Sequence, residues 1–264
     1  MKPSLPVLAL CVLCLNACSN DLNSDSATAA DAEQASPVTA ESFTPRELTL
    51  ADMPPDVQEG SWARLPTVRR DTLSPDDQQR FDMLVNPDSR YATGLRGPIG
   101  MWMYSPKMAE HMFPASTYLR FGADGQRDQR LTELAILTTA SELGSQYLWT
   151  SHEPTARNAG LEGEIIELLR FGRPLGRPDA LPGLGEREHT IVRIARELVN
   201  APNVSADAFV TAQRLFGNTG VMDLAGLVGF YTTVNYTVKT FDVQRNPGSL
   251  LLLPTRPLGR ADPR

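Results

Sequence analysis

The chain has 264 residues, 41% hydrophobic and 21% charged, so it is long enough to bury a full hydrophobic core and is no short disulfide scaffold. Its 25 Lys and Arg stand against 31 Asp and Glu, a formal charge of -6 with no basic block anywhere, which argues against nucleic acid as a partner. All 3 cysteines, Cys11, Cys14 and Cys18, fall within the first 18 residues, leaving the body without a thiol for a disulfide, a CxxC redox pair or a cysteine-ligated zinc.

The N-terminus reads as an address. Met1 and Lys2 precede an apolar run from Leu5 to Leu15, about half of the roughly 20 residues that a membrane-spanning helix needs, which is the proportion of a signal peptide over 1–17. The run ends in Leu15-Asn16-Ala17-Cys18, which resembles a bacterial lipobox, with Asn16 a less usual residue at its position. That resemblance implies diacylglycerol on Cys18 and a protein held to the membrane by a lipid anchor. The alternative is an ordinary secretory signal cut after Ala17. Residues 18–44 are rich in Ser, Ala, Asp and Thr and poor in large apolar side chains, too little to offset ordering entropy, so they read as a flexible tether. Ser19 after the cysteine, by resemblance to bacterial sorting rules, implies the outer membrane of the cell envelope, facing the periplasm.

From Pro45 to about residue 246 apolar residues recur at helical spacing, and no run of strict alternation suggests a strand, so the body is predicted to be all-α. Ser74-Pro75-Asp76-Asp77 predicts a helix start, with a Ser cap, Pro at the first position and acids facing the dipole; Ser105-Pro106 repeats the device. Asn86 to Gly100 reads as a loop. Helices are predicted over 130–142 and 146–160, joined at Gly144 as a hairpin, then over 163–171, 186–200, 205–216 and 221–242. The stripe Leu224, Val228, Tyr231, Asn235 and Val238 points Tyr231 and Asn235 inward, either to close a pocket or to hydrogen-bond within the bundle. The tail, 247–264, carries Leu250 to Leu253, which is expected to lie on this or a neighbouring subunit.

Within residues 105–172, Arg130-Leu131-Thr132-Glu133, then Gly144-Ser145-Gln146-Tyr147-Leu148-Trp149-Thr150-Ser151-His152, then Ala156-Arg157 and Gly160-Leu161, resembles the carboxymuconolactone decarboxylase and alkylhydroperoxidase D-like family in order and spacing. The resemblance implies an all-α alkylhydroperoxidase D-like helical bundle and a homo-oligomer, trimer or hexamer. In the peroxidase branch the motif runs Glu, eleven residues, Cys, two residues, Cys, three residues, His. Glu133 and His152 occupy its outer positions, whereas Ser145 and Leu148 replace both cysteines, so thiol peroxidase chemistry is not expected.

At 1.5 Å rise per residue Glu133 and His152 lie about 16 and 12 Å from the Gly144 bend, so the two can face each other as a general acid/base pair. Arg130, one turn before Glu133, is the rival partner. The bland alternative is a structural ion pair. Tyr147 and Trp149 are expected as core and pocket wall, and Gly97-Pro98 with Tyr104 resembles the family's loop over the pocket mouth. His111 and His189 read as helix-surface residues. No HExxH occurs and His152-Glu153-Pro154 is not a metal motif, so no metal and no cofactor are expected. By resemblance the function is that of a cofactor-free lyase or isomerase on a small carboxylated or lactone substrate. The contrasting reading is a non-catalytic envelope module for binding or assembly.

Overall fold

The computed structural model describes residues 42–89 and 91–254, all within one unit, Pro37–Arg264. The signal segment, Cys18, nearly all of the tether and the last ten residues lie outside the described residues. Eight α-helices run in order among the described residues: α1 (Pro75–Leu84), α2 (Gly97–Met101), α3 (Pro106–Phe121), α4 (Gln129–Glu142), α5 (Gln146–Asn158), α6 (Gly163–Arg170), α7 (Glu186–Asn200) and α8 (Ala206–Phe241).

Local chemistry explains where several of them start and stop. The Ser74 hydroxyl accepts from the Asp77 amide ahead of Pro75, and the Asp128 carboxylate accepts from the Leu131 amide at the head of α4. Between α4 and α5 Gly144 adopts φ +60°, and the Ser145 amide reaches back to the Ala140 carbonyl at 2.8 Å, a tight C-terminal cap that reverses the chain. Gly160 closes α5 in the same way, at φ +86° with the Leu161 amide on the Ala156 carbonyl. The predicted loop over 86–100 is shorter than expected, because Pro98 at the second helical position starts α2 within it.

Helix α4 is the axis of the bundle. Every residue from Thr132 to Ser141 is buried, with α5, α6, α7 and α8 packed around it. Each fully buried leucine here contributes roughly 1.5–3 kcal/mol of burial energy, so α4 sets the position of anything it carries. The two helices expected at 205–216 and 221–242 form one run that breaks at Gly217, where φ is +66° and ψ 176°. A single glycine residue turns the axis, in place of a four-residue connection.

The first and last described segments are stitched to the bundle by main-chain bonds that no periodicity announces. Strand β1 (Arg46–Glu47) pairs antiparallel with β2 (Leu250–Leu251), Arg46 opposite Leu251. Residues 247–254 of the tail therefore lie on their own subunit: Leu253 is buried, and its amide donates to Gln146 Oε1 on α5. The loop at 58–64 docks on the end of α8, with the Arg64 amide on the Phe241 carbonyl and the Gln244 amide on the Trp62 carbonyl. No helix among the described residues is long and apolar enough to cross a membrane.

Candidate active site

Three helices meet at Glu133. It projects from the middle of α4, is 0% exposed, and both carboxylate oxygens are occupied: His152 Nδ1 lies 2.7 Å from Oε2, and Arg120 Nη2 donates to Oε1 at 2.9 Å. Arg120 comes from the last turn of α3, and His152 from α5 across the Gly144 hairpin. A buried carboxylate needs such partners, since an unpaired charge in the interior costs several kcal/mol. Arg130, the rival partner, turns away to Glu162 and Glu188 at 2.6 and 2.7 Å. The spacing rule that suggested it describes neighbours on one helix, whereas the tertiary partners here come from other helices.

With Nδ1 committed to Glu133, the imidazole keeps Nε2 for whatever occupies the space beyond it. That space is a cavity of about 140 Å³. Its walls include Tyr91, Pro98, Ile99, Leu148, Phe230 and Tyr231, with Arg96, Arg120 and Ser151 as polar edges. The Tyr231 ring meets the imidazole edge-to-face at 5.0 Å, fixing the ring plane from the α8 side. His152 retains 13% side-chain exposure, so its free nitrogen is reachable. Glu133 does not line the cavity. Its place is behind His152, with one oxygen on the imidazole and the other on Arg120, so of the expected acid/base pair His152 is the member that borders the cavity.

The remaining predicted residues divide. Tyr147 and Tyr231 both line the cavity. Trp149 does not: it is 0% exposed and gives its indole N–H to Glu153 Oε2 at 2.6 Å. Two residues separate it from Tyr147, about 200° around a helix, so the two cannot wall the same space. Tyr147, Leu148, Ser151 and His152 take one face of α5, while Trp149, Glu153 and Ala156 take the buried one. Asn235 is buried but lines a separate cavity of about 250 Å³ beside Ser145 and Tyr147. Tyr104 is 45% exposed and donates to the Pro66 carbonyl at 2.8 Å, away from the cavity, because the turn at Trp102–Tyr104 aims Trp102 and Met103 inward instead. Pro98, from the same predicted loop, does reach the wall.

Of the two motif positions where the peroxidase branch carries cysteine, Ser145 sits in the neighbouring cavity with its hydroxyl buried and without a hydrogen-bond partner, and Leu148 supplies an apolar wall beside His152. Burial pushes the Tyr147 phenol above its ordinary range, with Arg245 pulling it part of the way back, so Tyr147 stays a neutral donor at physiological pH. Among the described residues no cluster of His, Cys, Asp or Glu could hold a metal ion. His111 is exposed on α3, and His189 is half-buried with Nε2 3.1 Å from the Gly176 carbonyl. Sequence reasoning missed Arg120. Its only local sign is a basic residue in the turn before Gly122, which reads equally as a helix-dipole complement.

The arrangement of these helices defines an all-α bundle of the alkylhydroperoxidase D-like type. The chain is similar to a crystal structure from Ralstonia eutropha described as the alkylhydroperoxidase AhpD core of an uncharacterized peroxidase-related protein. The TM-score is 0.53 and the identity 16%, over 70% of this chain and 93% of that one. At that identity the likeness establishes the fold and leaves the chemistry to be argued from the site. No protein-family profile matches the chain, and no curated protein matches it.

Proposed function

We propose that this chain is an enzyme that transfers a proton at a carbon atom of a small carboxylated or lactone molecule, with His152 as the acid/base and no metal or organic cofactor needed for the step. The observation that carries the reading is the divided imidazole: Nδ1 is anchored to a fully buried carboxylate at 2.7 Å, and the ring borders a small cavity walled by apolar and polar side chains alike, with Nε2 uncommitted. A cavity of about 140 Å³ is of the size that admits one small organic molecule, as engineered apolar cavities of ~150 Å³ do. In the decarboxylating form, suggested by the motif resemblance, the bond from carbon to the departing carboxylate breaks and its electron pair stays on carbon as an enolate. His152 Nε2–H then protonates that carbon, and the imidazole recovers its proton from water. Glu133 stabilises the protonated ring, and Arg120 holds Glu133. Thiol peroxidase chemistry is disfavoured by Ser145 and Leu148 at the two cysteine positions.

The test is deuterium incorporation, or loss of carbon dioxide, across a panel of small lactones and carboxylic acids in heavy water. Exchange that falls at least about 100-fold in His152→Ala is the expected result, in keeping with the size of general acid–base contributions. Equal exchange in wild type and variant would sink the proposal. One observation favours a second reading: Glu133 is already saturated by two partners inside the protein, as in a structural ion pair, so the cavity could serve a binding module. Tight binding of a panel member with no exchange in the wild type would select it.

We also propose that the protein is lipidated on Cys18, lies in the bacterial envelope at the outer membrane, and assembles as a trimer or hexamer. Cys18→Ser should move it from the membrane fraction to the soluble one, and light scattering on the solubilised protein should give three or six times the chain mass.

A further inference from the structure

Beside the His152 cavity lies a larger one, of about 590 Å³. It is enclosed by the loop at 60–67, the turn at 93–97 and residues 244–246 where the chain leaves α8. The two cavities share Arg96 and Tyr147. Tyr147 is the partition: its hydroxyl stands so close to Gly97 that a Cβ there would overlap it, so glycine at 97 makes room for the phenol.

The lining has one unbalanced property. Two guanidinium groups face the space, from Arg96 and Arg245, and no carboxylate does; the other polar groups, Ser61, Thr67, Thr93, Gln244 and Asn246 among them, are neutral. Arg96 forms no ion pair among the described residues. Arg245 lies 5.5 Å from the Tyr147 ring and donates through Nη1 to Ser151 Oγ at 3.0 Å, yet its Nε is buried without a hydrogen-bond partner. Arg96 is exposed and Arg245 partly buried, whereas the other arginines that reach inward are neutralised: Arg120 by Glu133, Arg130 by Glu162 and Glu188, Arg170 by Glu153. In a chain of formal charge -6, a concave wall with two cations and no carboxylate among its described lining residues focuses positive potential.

We propose that this cavity is a binding site for a small organic anion, a carboxylate or a phosphate ester, held between Arg96 and Arg245. The guanidinium fork suits either group through paired charge-assisted hydrogen bonds, and the volume suits a ligand of several heavy atoms. Because Tyr147 and Arg96 wall both cavities, an anion here sits next to the space at His152. This site goes beyond the proton-transfer reading and stands or falls separately from it.

The experiment is calorimetric titration of the whole protein at constant ionic strength with succinate, glycerol 3-phosphate and, as the neutral control, succinamide. Succinate or glycerol 3-phosphate should bind, the stronger of the two identifying the head group, and succinamide at least about tenfold more weakly. Arg96→Gln and Arg245→Gln should each weaken the anion by about tenfold, and Arg245→Lys, which keeps the charge and loses the fork, by less. His189→Ala, which lines neither cavity, should leave the affinity within about twofold. The proposal is overturned if neither anion binds, if succinamide binds as well as succinate, if both glutamine variants retain wild-type affinity, or if His189→Ala loses as much as Arg245→Gln. Anion binding without carbon exchange would remove the enzyme reading and leave this site standing; exchange without anion binding would do the reverse.

Discussion

Two buried glutamates on adjacent helices, Glu133 on α4 and Glu153 on α5, have almost the same inventory of partners and opposite surroundings. Each accepts from an arginine of another helix and from an aromatic N–H: Arg120 and His152 for Glu133, Arg170 and Trp149 for Glu153. Glu153 also takes both Arg157 donors from its own helix, and Arg170 ties the network to Glu167 and to the Leu252 carbonyl of the tail. In that second network only the outlying Arg157 and Glu167 border a cavity; Glu153 and its buried partners Trp149 and Arg170 do not. What separates a candidate site from a structural ion pair is therefore neither burial nor the number of charges. It is that one member, His152, keeps a second functional atom for an open space, whereas an indole has only one nitrogen to give.

Substitutions can break the likeness between the two networks. The largest effect is expected at Arg170→Met, which strands a buried carboxylate and releases the tail; unfolding by urea should show a loss of about 3–5 kcal/mol. A change below about 1 kcal/mol would mean that Arg157 and Trp149 suffice for Glu153. Glu133→Gln should cost less, about 2 kcal/mol, because an amide still accepts one of the two bonds and Arg120, at 18% side-chain exposure, can reach water. In the same variant proton exchange on any substrate should fall steeply as His152 loses its anchor. His152→Ala should move stability least, by about 1 kcal/mol, since Glu133 keeps Arg120, while exchange falls most. If His152→Ala instead destabilised the fold as much as Arg170→Met, the two networks would be alike and both structural.

How much of this was legible in the sequence differs between the two networks too. The spacing from Glu133 to Gly144 and from Gly144 to His152 was enough to bring the pair together, because a hairpin of two regular helices converts residue counts into heights. Helix starts at Ser74-Pro75 and Ser105-Pro106 were legible for the same local reason, and α7 runs over the predicted 186–200. The partners that come from elsewhere were not. Arg120 reaches Glu133 across the turn between α3 and α4, and Arg170 reaches Glu153 from α6, contacts that depend on how helices pack and leave no local pattern. The pairing of Arg46 with Leu251 spans most of the body through two-residue strands too short to show alternation. Trp149, expected with Tyr147 as core and pocket wall, takes the core share: the 100° step per residue already separated it from Tyr147, so only one of the two could face the cavity.

The smallest expected effect concerns a third carboxylate, outside both networks, and it calibrates them. Glu197 on α7 accepts from the Ser205 amide at 2.7 Å and from the Ser205 hydroxyl, fastening the start of α8, and Arg193 donates to it from one turn earlier. Burial on its own would raise this carboxyl, but the Ser205 amide and hydroxyl and then Arg193 outweigh it and hold the group below its ordinary value of 4.5. A depressed folded-state value means that the unfolded chain binds the proton first, so the stabilisation is present in full above about pH 4.5 and fades as the pH falls through the lower folded value. Glu197→Gln should therefore cost about 1 kcal/mol at pH 7, the scale of a lost helix-capping contact, and the gap between wild type and variant should close on acidification toward pH 3. A gap that stays constant over that range would show that the amide simply fits the site poorly. Closure would show that a partly exposed carboxylate can be worth a measurable amount through one amide, one hydroxyl and a same-helix arginine, the smaller relative of what Arg120 and Arg170 supply at the two buried ones.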